Sequence, residues 1–548
     1  MGVPGLIRII LEKYRNIHAE FKDNVVDYFY IDFNPIIYNI YNKNKQYELN
    51  NNFEEHLIDQ VCNELIKLIE KVNAKKLTYI AIDGSAPFAK MIQQRERRFK
   101  KVYDQMQIKK IYEKHGQKYK EPWDTSNITP GTIFMQKLDN AIKEIIKNKE
   151  NVIFSGYTDA GEGEHKILQH INTIKFEQDD QVYVFSNDGD VIFLCCRYPN
   201  MNIYMLTNPN SVLKIVKDLY LNVEHITINI KELFNSIIEE FDLCDDNNQR
   251  TALAYDIIGF SMFAGNDFVK EFPFLKMRNK HTFGLLFQIY KQVYQELQEN
   301  FIYKYKTEYR INVNFLLKYV RELANKEWYY LKKEKQYINN FSYTPVPETF
   351  NEELTNYLHK PYYVEDHPLY EKFMYEYNKI DYNKNPHIWK RQYYCYYFNK
   401  QCNNFREYNS LRSMVCFEYL QSIVFALNYY LNCCPSWTWH YSYLVAPLPS
   451  DLYTYINIIN NNDEFYKIYE FVKGDPVTPI EQLMLVLPPQ TELLPKKYKK
   501  LMNDLSLKMF YPKYISLELT IGKKNEYSVP FLPRINIDTI KNEINLLS

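Results

Sequence analysis

The sequence predicts an α/β fold in which a mostly parallel central sheet is flanked by helices and a C-terminal α+β region packs against it. Two observations carry that expectation. Over the first 200 residues, short apolar runs rich in Val, Ile, Tyr and Phe alternate with segments of helical apolar spacing, the pattern of βαβ units. Beyond residue 411 the texture changes to one long helical pattern followed by proline-punctuated segments, which suits a second packed region.

In order, the predicted strands cover 28–32, 77–83, 152–155 and 182–186. Between them, 53–72, 88–107, 132–148 and 164–173 place apolar residues three and four apart, as one buried helix face requires. Pro87 suits the first turn of the 88–107 helix. A further helical pattern over 251–264 runs into Gly265-Asn266-Asp267-Phe268. Residues 300–410 are rich in Tyr, Asn and Lys with weak periodicity, which predicts irregular helices and long connections. Residues 411–430 read as a strongly amphipathic helix, ending at Cys434-Pro435-Ser436-Trp437-Thr438-Trp439. Pro476, Pro479, Pro488, Pro489 and Pro495 predict packed loops and short strands in the last 80 residues. A length of 548 residues exceeds a single core of about 250–300, so two domains are expected, 1–320 and 321–548.

Hydrophobic residues make up 46% and charged residues 24%, with 67 basic against 67 acidic side chains. Zero net charge excludes a tail-driven polycation and a disordered acidic chain, yet allows a local basic face. Glycine is scarce, 14 residues, where about 7% is usual. Tyrosine is abundant at 51, a compositional bias under which single tyrosines carry little functional weight. The nine cysteines form no C-x-x-C pair and no zinc spacing. With no N-terminal signal, no apolar run of membrane length and no myristoylation pattern, a soluble chain with reduced thiols in a cytoplasmic compartment is expected.

The predicted strands lead into carboxylates. Asp32 closes the first and Asp83 the second, while Glu162 and Glu164 follow the third in Gly161-Glu162-Gly163-Glu164-His165-Lys166. Asp188 and Asp190 follow the fourth, and Asp267 lies in the Gly265 turn. In open α/β sheets the carboxyl ends of the strands line one crevice. Seven acids there would repel one another unless cations neutralised them, and hard divalent ions such as Mg²⁺ or Mn²⁺ suit an all-oxygen set. Two such ions clamp the attacking and leaving oxygens of a phosphodiester. Any single strand-end aspartate reads equally well as a helix cap; the whole constellation does not. His165 reads as a structural helix residue, since hard ions prefer oxygen.

From Lys90 to Lys120 eleven Lys/Arg face three acids, a local charge of about +8. Lys90, Gln94, Arg97 and Arg98 fall on one helical face, and guanidinium forks with a lysine point charge suit a phosphate group. Such a run is more often a solvated helix face. Directly after Asp83 it reads better as a phosphate pocket beside a metal site.

These stretches resemble the XRN-type 5′→3′ exoribonucleases. The resemblance is carried by Met1-Gly2-Val3-Pro4, Tyr30-Ile31-Asp32-Phe33-Asn34, Ile82-Asp83-Gly84-Ser85-Ala86-Pro87, Gln93-Gln94-Arg95-Glu96-Arg97-Arg98-Phe99 and Asn127-Ile128-Thr129-Pro130-Gly131-Thr132. It continues through Gly161–Lys166, Asn187-Asp188-Gly189-Asp190, Gly265–Phe268, Cys434–Trp439, Ser450-Asp451-Leu452 and Glu481-Gln482-Leu483-Met484. It implies a PIN/flap-nuclease-like sheet and processive, Mg²⁺-dependent hydrolysis of single-stranded 5′-monophosphorylated RNA to nucleoside 5′-monophosphates. It implies metal binding by Asp32, Asp83, Glu162, Glu164, Asp188, Asp190 and Asp267, and a 5′-phosphate pocket from Lys90, Gln94, Arg97 and Arg98. The base-stacking pair of the family would be Tyr38, in place of its histidine, and Trp439, with Trp437 as the alternative.

The family often has arginine where Phe88 stands, and alanine where Gly189 stands. The long C-terminal extension and the zinc knuckle of some members are not seen, so a minimal catalytic core is expected, monomeric and acting in mRNA decay after a decapping enzyme. The rival readings are a flap-type 5′→3′ DNA nuclease, which shares the strand-end acids, and a catalytically silent RNA-binding protein.

Overall fold

A computed structural model describes residues 6–22, 24–209, 218–241, 246–275, 280–339, 347–359, 377–398, 404–460, 463–517 and 528–547. Its centre is a seven-stranded sheet of β1 (His18–Glu20), β2 (Tyr28–Asp32), β3 (Leu77–Ala81), β4 (Val152–Ser155), β5 (Gln181–Phe185), β6 (Asn202–Thr207) and β7 (Ile226–Asn229). The spatial order is β1-β7-β6-β5-β2-β3-β4. The run from β6 to β4 is parallel, and β7 and β1 close the other edge in antiparallel pairs. The chain builds outward from β2 to β4 and then returns to lay β5 on the other side of β2. That reversal makes β2 and β5 the topological switch point, outside whose carboxyl ends ligands bind in such sheets.

Both faces of the sheet are covered, as a parallel sheet requires. Tyr30, Val182, Val184, Ile203 and Met205 point into one hydrophobic cluster, while Phe29, Ile31, Ile80, Tyr183 and Phe185 point into another. The strict alternation follows from the two-residue period of a strand. The second cluster is closed by the Asn34–Asn44, Phe53–Val72 and Ile133–Ile146 helices. The first extends into the second half of the chain, through the Val313–Asn339 and Phe405–Leu431 helices.

A third cluster joins Ala86, Phe88, Met91 and Phe99 at the start of the Phe88–Lys114 helix to Leu483, Val486, Leu501 and Ile540. Arg95, 2% exposed, donates there to the Leu485 and Phe510 carbonyls and stacks on Phe99. Its burial pulls the guanidinium down to about 10. The C-terminal residues thus grip the root of the basic helix.

Several sequence expectations need correction. The strand at 77–83 ends at Ala81, and β1, β6 and β7 were not anticipated because their runs are short or interrupted. The basic helix extends to Lys114, beyond the expected end at 107, because nothing in 108–114 breaks it. Residues 300–410 hold a regular hairpin (Ile302–Tyr305 with Glu308–Ile311) and the long Val313–Asn339 helix; that helix buries Phe315, Leu316, Tyr319, Val320, Leu323 and Leu331 at helical spacing. The 411–430 helix begins at Phe405, and from Tyr419 to Leu431 every residue is buried, so its second half is a core helix. Among its described residues the C-terminal segment is mainly helical, with one two-residue ladder, Ser516–Leu517 on Pro530–Phe531. Among the described residues, no helix is long and apolar enough to cross a membrane.

Candidate active site

Asp32, the last residue of β2, is 6% exposed. Its Oδ2 accepts from Ser186 Oγ at 2.8 Å, and the Asp188 amide donates to the same hydroxyl at 3.0 Å. One serine therefore ties the end of β2 to the turn after β5. Asp83, two residues past β3, accepts from Asn34 Nδ2 at 2.6 Å and from the Gly163 amide at 2.7 Å. Asn34 Oδ1 accepts in turn from the Asp83 amide at 3.3 Å.

Glu162 caps the Gly163–Ile171 helix, whose N-terminus sits over the strand ends and favours negative charge there. Gly163 cannot carry a side chain: a Cβ would lie 2.9 Å from Asp32 Oδ1 and 3.0 Å from the Ala81 oxygen. Lys166, buried beneath, donates at 2.7 Å to the Ile82 and Gly156 carbonyls, and burial draws its amine down to about 8. Gly265 takes φ +86, and a Cβ there would meet the Glu271 backbone nitrogen at 2.9 Å. That tight turn brings Asp267 in from the first-half helical layer.

Glu162 and Asp267 meet at one cation. Lys90 Nζ lies 2.6 Å from Glu162 Oε1 and 2.5 Å from Asp267 Oδ2, and Gln93 donates to Asp267 Oδ1. Burial and the neighbouring Asp83 and Asp188 carboxylates hold Asp32 well above the usual range. Burial and then Glu162 raise Asp83. Burial is the largest influence on Asp267 and works to raise it, but the charge and hydrogen bond of Lys90 together with other nearby positive charges, Arg97 among them, hold that carboxyl low. Glu162, Glu164 and His165 offer ligand atoms all within 4.8 Å of one another. The His165 ring itself is engaged, Nε2 lying 3.0 Å from the Tyr429 carbonyl oxygen. The backbone of Asp190 opens the Asp190–Cys196 helix, and its side chain lies outside the described residues. A donor set built of carboxylate oxygens fits hard divalent cations, which also relieve the repulsion that adds to burial in raising Asp32 and Asp83.

The basic helix delivers its residues to different surroundings. Lys90 turns to the acids. Arg98 is buried, donating to Thr129 Oγ1 at 2.7 Å and lying 3.5 Å from Gln94 Oε1, with the Tyr38 phenol among its electrostatic neighbours. Gln94 Oε1 also accepts from Gln482 Nε2 at 3.3 Å, and Gln482 Oε1 accepts from the Ala86 amide at 3.0 Å. Arg97 is exposed. Tyr38 is 37% exposed on the Asn34–Asn44 helix. Trp439 is half-buried, stacked on Phe425 with centroids 4.9 Å apart, and its indole N–H donates to Gln421 Oε1. It lines an open cavity of about 450 Å³ with Met414, Phe417, Glu418 and His440. Phe88 is buried edge-on against His440.

Two family models match the chain. Residues 1–209 match the XRN 5′-3′ exonuclease N-terminus, and residues 380–547 match the Xrn1 helical domain. The chain belongs to the XRN family. The first match contains Asp32, Asp83, Glu162, Glu164, Asp188, Asp190 and the four residues of the basic face, the second contains Trp439, and Asp267 lies between them.

Among curated relatives, the chain is 26% identical to 5′-3′ exoribonuclease 1 of Schizosaccharomyces pombe, over 98% of this chain and 48% of that protein. It is 26% identical to the human 5′-3′ exoribonuclease 1, over 97% of this chain and 33% of that protein. It is 23% identical to 5′-3′ exoribonuclease 2 of Debaryomyces hansenii, over the whole chain and 70% of that protein. The chain thus spans less than half the length of the first relatives it matches.

Reading the sequence for strand-end acids missed the groups that hold those acids. Asn34, Ser186, Gln93 and Tyr429 each donate to one of them. Asn34 and Gln93 stand inside family-like stretches, so they had a signal. Ser186 and Tyr429 had none, the latter hidden among 51 tyrosines.

Proposed function

We propose that the chain is a divalent-metal-dependent 5′→3′ exoribonuclease acting processively on single-stranded RNA with a 5′-monophosphate. The observation that carries this reading is the convergence of Asp32, Asp83, Glu162 and Asp267 at the switch point, with the root of the basic helix bonded to two of them. Membership of the XRN family supports it.

In this reading Asp32, Asp83, Glu162, Glu164, Asp188, Asp190 and Asp267 hold two Mg²⁺ ions, with Mn²⁺ as a substitute. When bound, the ions supply an activated water and neutralise the charge that builds on the phosphodiester. Asn34 and the Gly163 amide orient Asp83, and Ser186 orients Asp32. Lys90, Gln94, Arg97 and Arg98 bind the terminal phosphate. A pocket floored by buried Arg98 and Gln94 favours a compact monophosphate over a cap or triphosphate. Tyr38 and Trp439 stack on terminal bases, contacts that tolerate any sequence. The products are nucleoside 5′-monophosphates, and the setting is cytoplasmic RNA decay by a monomer acting after a decapping enzyme.

The test is product release from end-labelled single-stranded RNA and DNA bearing 5′-phosphate or 5′-hydroxyl ends, with Mg²⁺ or EDTA. Mononucleotides released from 5′-phosphorylated RNA with Mg²⁺ alone are expected. Preferential cleavage of DNA flaps would favour the flap-type nuclease. Binding without cleavage in every condition would favour a silent RNA-binding protein.

A further inference from the structure

Tyr429 lies on the Phe405–Leu431 helix, far in sequence from the acids, and is 1% exposed. Its hydroxyl donates to Glu162 Oε2 at 2.7 Å. Its backbone carbonyl oxygen lies 3.0 Å from His165 Nε2, and its ring packs on the His165 ring with centroids 3.4 Å apart. Phe268, next to Asp267, meets the same ring edge-on at 4.7 Å. One side chain of the second half therefore touches both turns that deliver acids from the first half. Burial and the Glu162 carboxylate push the phenol far above its ordinary range, so it stays a donor.

We infer that Tyr429 is a positioning residue that orients the Glu162 carboxylate, so that the second half of the chain shapes the metal site without contributing a ligand to it. The inference rests on the metal-site reading of Glu162. The Glu162 oxygens are divided: Oε1 faces Lys90, and Oε2 faces the phenol. Glu162 is the helix-capping residue, in extended backbone, and its side chain has several rotatable bonds. A fixed donor on one oxygen leaves a single direction for the other. Groups that orient a metal-binding carboxylate are worth about 10–100-fold in metal affinity or activity.

The experiment is a cycle of Tyr429→Phe, Glu162→Gln and the double substitution, with three readouts. They are kcat and KM on 5′-phosphorylated RNA, Mn²⁺ binding to the RNA-free protein by electron paramagnetic resonance, and thermal midpoint. Tyr429→Phe keeps the ring on His165 and Phe268. Expected are a fall in kcat of about tenfold with KM for RNA within about twofold, and Mn²⁺ binding weakened about tenfold. In the Glu162→Gln background, Tyr429→Phe should change neither kcat nor Mn²⁺ binding by more than about twofold, because the two groups act as one unit.

Kinetics and Mn²⁺ binding close to the parent in Tyr429→Phe would overturn the inference. So would an equal proportional loss in both backgrounds, the mark of a merely structural tyrosine. If Glu162→Gln alone spares Mn²⁺ binding and cleavage, the metal reading of Glu162 fails and takes this inference with it. A strong Glu162→Gln effect beside a silent Tyr429→Phe would sink the inference alone. Tyr429→Met, whose flexible chain can fill the same slot, is the second variant should the phenylalanine not fold, and it is read by the same outcomes.

Discussion

Gly163 donates its backbone amide to the Asp83 carboxylate across 2.7 Å while its Cα hydrogen faces the Asp32 carboxylate, where a Cβ would sit 2.9 Å from Oδ1. The helix start is pressed so closely onto two strand ends that only a glycine fits. Gly163→Ala should therefore displace the helix N-terminus from both acids. Cleavage should fall at least about 100-fold, with a stability loss of about 1–3 kcal/mol from overpacking. A chemical denaturation curve and a single-turnover assay check the two effects together. An alanine variant with parental turnover would show that the acids do not act as a set.

Asp32 sits at a strained electrostatic position, its carboxyl raised by burial and by Asp83 and Asp188. For an acid whose folded pKa is raised, ionisation costs stability: the penalty is complete above the folded value and is relieved as pH falls through it. Asp32→Asn should thus raise the thermal midpoint in EDTA at pH 7.5, by about 1–3 °C, while abolishing cleavage. The gain should shrink as pH is lowered from 7.5 toward the unfolded carboxylate range, near 4. Scanning calorimetry across that window reads both signs. An unchanged or lower midpoint at pH 7.5 would contradict the electrostatic account.

Arg97 and Arg98 are neighbours in sequence and opposites in environment. Arg98 is buried, bonded to Thr129, and drawn down to about 10 chiefly by burial, whereas Arg97 is exposed. Arg97→Ala should reduce the preference for 5′-phosphorylated over 5′-hydroxyl RNA with stability within about 0.5 kcal/mol of the parent. Arg98→Ala should reduce the same preference and also cost about 2–3 kcal/mol, because Thr129 and Gln94 lose a buried partner. Equal stability losses in the two variants would show that the burial difference has no energetic weight.

Trp439 serves packing and, in the proposed reading, RNA. Trp439→Ala removes the Phe425 stack and should lower stability by about 2–4 kcal/mol. Trp439→Phe keeps a ring there and should cost about 1 kcal/mol or less, yet shorten the processive run on a long labelled RNA. A product-length ladder under heparin trap distinguishes the two. Wild-type processivity in Trp439→Phe, with altered stability only, would make Trp439 a core residue.

Much of the sheet could be read from local pattern. β2, β4 and the Phe53–Val72 helix fall where their residue patterns put them, since short apolar runs such as the buried β2 and the edge strand β4, and a helix with one apolar face, leave clear local signatures. The same reading failed for 300–410, where the Val313–Asn339 helix buries Leu316, Val320, Leu323 and Leu331 together with Phe315 and Tyr319, in a stretch whose many Lys, Asn and exposed Tyr residues blur the period. The acids were legible for a simple reason: carboxylates at the ends of apolar runs are conspicuous. Their supports were not, because Ser186 and Tyr429 act across the chain and look ordinary where they stand.

By itself the sequence determined the α/β class, the strand-end carboxylates, the basic helix that follows Asp83 and the resemblance to the XRN family. Those properties depend on spacing along the chain, where side-chain periods of two and 3.6 residues leave a mark. Only the tertiary structure decided that Lys90 pairs with Glu162 and Asp267, that Arg98 is buried while Arg97 is not, and that Tyr429 reaches Glu162 from 267 residues away. Those relationships depend on which elements the core brings together, and burial converts each of them from a solvated side chain into a held one.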